Sequence, residues 1–262
     1  MRQFAAFAVR KPHPFRPAAA RLAAALVGLL VAPHAGAALV AYYTLDDLAT
    51  GIQNRGSDGG TSDLSALDVN ATPTPISGGI VGGAMSFDGN DLLRNITAGN
   101  AGDDLQAYPL TLSVWMRSAL LDTARDSVFG ISDRTVGDRY YTVGVEGVSG
   151  GRGEPEMIRR NTTFTPLDAT GSDVSGANWT NVVAVFGTTT AEIYVGGKRI
   201  NSAAIGQTFN PSVNTINLGG FLRNNGTTPT DPYRGQADEA GLFEVVGQFG
   251  IRATISSMFH TC

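Results

Sequence analysis

From Leu39 onward the chain runs in short apolar or alternating stretches, each closed by Gly, Asn, Asp or Thr. Val, Ile, Tyr, Phe and Thr are concentrated inside those stretches, the composition of half-buried strands. The pattern predicts strands at Leu39–Leu45, Ala84–Phe87, Leu110–Ser118, Ser127–Ser132 and Tyr140–Glu146. Further strands are predicted at Met157–Arg160, Thr180–Phe186, Ala191–Val195, Thr215–Gly219 and Ala237–Val246. So many short strands separated by turn residues mean an all-β sandwich or barrel. A helical period occurs only at the end, where Ile251, Ile255, Met258 and Phe259 recur at i, i+4, i+7 and i+8 and suggest a short C-terminal helix. Without a Pro-rich linker, repeat or low-complexity tract, residues 38–262 read as one domain.

Strand alternation also assigns faces. In Leu110–Ser118, Leu112, Val114 and Met116 point one way, and Thr111, Ser113, Trp115 and Arg117 the other. In the strand after Arg139, Tyr141, Val143 and Val145 form the apolar side, and Tyr140, Thr142 and Glu146 the polar one. Rings flanked by hydroxyls and a guanidinium suit a ligand face. Equally, Trp115 fits beneath a neighbouring loop.

Residues 1–37 carry five basic side chains and no acid, and Leu22–Ala32 is an uncharged apolar run followed by Ala35-Gly36-Ala37. Eleven residues are too few to span a bilayer core of ~30 Å; with small residues behind them they match a secretory signal peptide. The rest of the chain then holds 14 basic against all 23 acidic residues, a formal charge of −9. Such a body repels nucleic acid and anionic membrane. The expected location is outside the cytoplasm, secreted or periplasmic, with no membrane insertion once the leader is cleaved.

Removing the leader also removes His13 and His34 and leaves His260; the single cysteine is Cys262. A Ser–His–Asp or Cys–His nucleophile and a hydrolytic zinc therefore lack their histidines. The Gly-rich stretches at 78–83 and 150–153 do not end in Gly-Lys-Ser/Thr, so they are turns rather than phosphate loops.

Five ordered segments then resemble one family: Gly82–Gly89, Leu110–Trp115, Trp179–Val185, Ile193–Gly197 and Gly235–Phe243, with Val40–Asp46 fitting its first strand. They are similar to the laminin-G-like, concanavalin A-like jelly-roll domains of secreted bacterial proteins. That resemblance implies a two-sheet antiparallel jelly-roll sandwich with neighbouring first and last strands. It also implies a concave face that binds sugars or proteins in relatives, and often a structural calcium. On that mapping Asp46 and Asp238 are the candidate calcium ligands; the plainer roles are a turn acid and a strand-edge acid capping loop amides. Laminarinase-type hydrolases of similar fold carry Glu-x-Asp-x-Glu on one strand, and no such run occurs here. Glu154-Pro155-Glu156 holds a proline that disfavours a central strand. Asp238 and Glu244 stand about 20 Å apart along a strand, too far to flank one bond.

The sequence thus points to a secreted non-catalytic recognition module for a glycan or extracellular protein, with Trp115, Arg117, Tyr140 and Glu146 as ligand-binding candidates. A polysaccharide-active hydrolase or lyase on the same scaffold, and a purely structural matrix protein, are the alternatives.

Overall fold

The structure, a computed structural model, describes residues 37–46, 52–57, 62–68, 71–95, 109–118, 124–147, 153–206, 208 and 212–245. The leader before Ala37 and the expected helix at 251–259 lie outside the described residues. Among the described residues no helix is long and apolar enough to cross a membrane.

The described strands are β1 (Ala37–Tyr43), β2 (Leu64–Ala66), β3 (Thr74–Ser77), β4 (Gly83–Asp88), β5 (Leu93–Asn95) and β6 (Leu110–Ser118). There follow β7 (Asp126–Ser132), β8 (Arg139–Val145), β9 (Pro155–Asn161), β10 (Thr163–Asp168) and β11 (Thr180–Phe186). The last four are β12 (Thr190–Val195), β13 (Lys198–Ala204), β14 (Thr215–Leu218) and β15 (Arg234–Val245). They form two antiparallel sheets. The first runs β13-β12-β11-β6-β15-β4-β3, with β1 also paired to β15; the second runs β10-β9-β8-β7-β14-β5-β2.

Leu112, Val114 and Met116 of β6 and Tyr141, Val143 and Val145 of β8 point into one core between the sheets, as alternation predicted. Tyr43 meets Phe129 edge-on at 6.4 Å, and Tyr141 meets Phe186 at 5.4 Å. Both pairs join a ring from each sheet; burying such a side chain contributes about 1.5–3 kcal/mol.

All ten predicted strands are present, with ends shifted by up to three residues. β2, β3, β5, β10 and β13 were not read from the sequence. β13 and β3 are the edges of the first sheet, β10 and β2 those of the second, and β5 lies next to β2. Edge strands are short and polar because one side faces no partner, and they accept proline; β3 and β10 hold Pro75 and Pro166. Pro155 is tolerated because it is the first residue of β9.

β15 is the hub of the first sheet. On one side it pairs with β6 along most of its length; on the other, Arg234–Ala237 pair with β4 and Ala240–Val245 with β1. Asp238 and Glu239 fall in the gap between those partners, where the β6 register also shifts. Glu239 takes φ +48, a left-handed backbone that is unusual for a glutamate.

Candidate functional site

The structure divides the four predicted ligand residues between the two layers. β6 belongs to the first sheet and β8 to the second. With the core between them, Trp115 and Arg117 lie on the outer face of one sheet, and Tyr140 and Glu146 on the opposite outer face. Alternation separates inward from outward but does not say which sheet a strand joins, which is why the sequence merged them. Tyr140 and Glu146 share a face but stand six residues apart, about 20 Å along a strand. One sugar ring cannot touch both.

On the first sheet's outer face, three contacts hold the Arg117 guanidinium. Its Nε donates to Gln236 Oε1, its Nη1 donates to Ala177 O at 3.0 Å, and its guanidinium lies 4.8 Å from the centre of the Trp179 ring. Trp115 is opposite Asp238 on one side and Asn181 on the other. The turn between β3 and β4 folds over this patch. Trp179 Nε1 donates to Gly78 O at 3.1 Å, and Asp238 Oδ2 accepts the N–H of Ile80 at 2.6 Å and of Val81 at 3.4 Å. Asp238 Oδ1 accepts Glu239 N–H, and Asp46 Oδ1 accepts Gly83 N–H at 2.7 Å.

The two expected calcium ligands thus meet at one turn, and every oxygen just named holds a backbone amide. Among the described residues no group of three or more acids gathers in an ion-holding arrangement. Calcium prefers six to eight oxygens, so an ion held by Asp46 and Asp238 would take the rest of its shell from backbone carbonyls and water. Burial pushes the Asp238 carboxyl up to about 6 against the pull of those amides, with the charge of Asp46 adding to the rise. Burial alone pushes Glu239, whose Oε2 accepts the Tyr42 hydroxyl, up to about 7.

The second sheet's outer face is built differently. Across its strands, cross-strand partners form a row of Ser65, Arg94, Asn217, Gly130, Thr142, Ile158 and Pro166. A neighbouring row holds Thr215, Ser132, Tyr140, Arg160 and Phe164. Gly130 gives the first row a low floor: a Cβ there would stand 2.6 Å from Thr142 Cγ2 and 2.5 Å from Tyr141 O. The chain at 219–233 crosses over the face. Phe221 stacks on Tyr140 with centroids 4.3 Å apart and joins Ile158 in a small apolar cluster; Ser132 Oγ donates to Leu222 O at 2.9 Å. Ser127 N–H donates to Asp231 O at 2.8 Å.

One end of this face is acidic. Arg125 Nε donates to both Glu156 oxygens at 2.5 and 2.9 Å, and its guanidinium lies 4.9 Å from the Phe164 ring centre. Glu156 is opposite Asp168 on β10. Burial, only partly offset by Arg125, pushes Glu156 up to about 7. Burial also raises Asp168 and Asp231, and Glu146 is raised by burial and then by the charges of Asp168 and Glu154.

Hydrogen-bond partnering separates the two outer faces. Nine buried side-chain nitrogen or oxygen atoms among the described residues have no partner. Six lie on this face: Arg94 Nε, Ser127 Oγ, Thr142 Oγ1, Arg160 Nε, Asp168 Oδ1 and Asn217 Oδ1. Ser127, Thr142 and Asn217 are 1%, 1% and 0% exposed. Buried polar atoms are ordinarily bonded, and leaving one unpaired costs about 1–3 kcal/mol. Buried groups of this kind are ordinarily completed by ordered water. Sequence reasoning found Tyr140, Thr142 and Glu146 on this face but missed Arg94, Asn217 and Ser127. β5 and β14, at three and four residues, are too short for a periodic signal to assign their faces, and at Ser127 a register shift in β7 breaks the alternation.

Two stacked antiparallel sheets, the first and last strands paired side by side within one of them, define a jelly-roll sandwich. The family model described as the concanavalin A-like lectin/glucanases superfamily matches residues 93–246, more than half of the chain, and the chain belongs to that family. No curated protein matches it. Among solved structures, it is similar to domain 4 of AbnA, an extracellular arabinanase of Geobacillus stearothermophilus, solved with arabinotriose. Identity is 16% and the TM-score 0.58, over 80% of this chain and 93% of that one. It is also similar to the binding domain of Paraclostridial Mosquitocidal Protein 1, with 10% identity and a TM-score of 0.59, over 85% of this chain and 52% of that one. A third is the receptor-binding domain of botulinum neurotoxin mosaic serotype C/D, with 12% identity and a TM-score of 0.56, over 85% and 50%. At these identities the likeness is one of fold.

Proposed function

We propose that this protein is a secreted, non-catalytic carbohydrate-binding module whose glycan lies along the outer face of the second sheet, with the 219–233 segment as one wall. The observation that carries the reading is the cluster of six unpartnered polar atoms on that face. Sugar hydroxyls both donate and accept, so they complete a mixed set of guanidinium, hydroxyl, amide and carboxylate atoms. From Arg94 to Thr142 the row crosses three strand spacings, roughly 14 Å, which suits an oligosaccharide better than a single ring. The AbnA domain solved with arabinotriose supports this choice of ligand class.

The non-catalytic part rests on how the acids are used. Glu156 is clamped by Arg125, Asp238 holds the 78–82 turn and Glu239 accepts from Tyr42. The leader and the acidic body support export.

A glycan array probed with the chain lacking residues 1–37, with and without chelator, tests the reading. The expected result is binding that Thr142→Val weakens about tenfold while the melting temperature holds. Reducing-sugar release from the bound glycan would overturn the non-catalytic part. Loss of binding on chelation would point to calcium at Asp46 and Asp238.

A further inference from the structure

Charge is unevenly laid out along the proposed groove. Glu146, Glu156 and Asp168 crowd around Arg125 at the β9–β10 end. At the other end stands Arg94 on β5, with Arg134 near enough for its charge to act on it. Neither has an ion pair: the acids bridged by arginine among the described residues go to Arg125, Arg139, Arg160 and Arg199. Arg94 is half-buried, its Nε has no partner, and it lies opposite Asn217, whose Oδ1 has none either. The Asn217 amide is oriented by its own donors, Nδ2 giving to Ser132 Oγ and Thr215 O, both at 3.0 Å. Arg134 sits in the β7–β8 turn with its backbone fixed: its N–H donates to Asn214 Oδ1 at 3.3 Å and its carbonyl accepts Asn225 N–H at 2.7 Å. Burial, followed by the charge of Arg134, lowers the Arg94 pKa. Two guanidiniums close enough to repel, one half-buried, cost stability unless an anion joins them.

We propose that the Arg94–Arg134 end of this face takes the carboxylate or sulfate of an acidic oligosaccharide. This rests on the glycan reading above and names its ligand class. A guanidinium donates in a plane to two anionic oxygens, and such charge-assisted bonds are about twice as strong as neutral ones. The acidic end repels a second anion and so sets the direction in which the chain lies.

The test is an array of uronic-acid-bearing and sulfated oligosaccharides printed beside their carboxyl-reduced and desulfated counterparts. It is probed with the chain lacking residues 1–37 and with Arg94→Gln and Arg134→Gln, each checked for an unchanged melt. Binding of acidic members over their neutral counterparts by about tenfold or more, falling in both variants and with added salt, is the expected result. Preference between the carboxylate and sulfate series tells which anion is read. Equal binding of acidic and neutral members, or unchanged affinity in the two glutamine variants, would overturn the proposal and leave the glycan reading standing. An array on which nothing binds would overturn both.

Discussion

The two outer faces of the sandwich come from the same sequence pattern, polar residues alternating with a buried apolar row, yet they are finished in opposite ways. On the first sheet Arg117 has three partners, Trp179 Nε1 has one, and Asp238 secures a turn above Trp115. Among the described residues Thr111 Oγ1 is the one buried side-chain atom without a partner there. On the second sheet six atoms wait for one. Residue type alone would favour the first face, which holds both tryptophans of the chain. Accounting for every donor and acceptor favours the second. An aromatic beside an arginine is a ligand site only when the arginine is not already spent on its own fold.

The contrast is broken most easily at Asp238. Asp238→Ala strips two turn amides and one strand amide of their acceptor, and stability should fall by about 2–4 kcal/mol with glycan affinity unchanged, measured by chemical denaturation beside a binding titration. On the opposite face Thr142→Val should do the reverse. It removes a hydroxyl that bonds nothing in the fold, so the melting temperature should hold or rise, while affinity falls about tenfold, near 1.4 kcal/mol. A single variant that lowered both quantities would erase the distinction between the faces.

A smaller effect concerns pH. Asp238, Glu239 and Glu156 keep their protons to about 6, 7 and 7 in the folded chain, against ordinary values near 4. Between about pH 4 and 7 the folded state therefore binds more protons than the unfolded one, so stability declines as pH rises through that window. Thermal melts should give a higher midpoint at pH 5 than at pH 8. Glu239→Gln should raise the pH 8 midpoint by a few degrees and leave the pH 5 midpoint nearly unchanged. A midpoint that climbed with pH would show that the buried acids are stabilised as anions.

Much of the fold was legible because central strands are written in apolar residues: Leu110–Ser118 and Thr180–Phe186 were bounded to the residue. The edges were not, since β3 and β13 consist largely of exposed residues and pack little for a pattern to record. The site was half legible. Alternation turned Tyr140, Thr142 and Glu146 outward correctly. It could not reveal that β6 and β8 belong to different layers, so Trp115 and Arg117 were joined to them. Nor could it reveal Arg94 and Asn217, which become neighbours only because β5 and β14, over 120 residues apart in the chain, pair across the second sheet.

The most direct test is one pair of titrations with the best array ligand, comparing Thr142→Val with Arg117→Gln. The account predicts that affinity drops about tenfold in the first and stays at the level of the unaltered chain in the second. Retained affinity in Thr142→Val with loss in Arg117→Gln would place the ligand on the first sheet and contradict it.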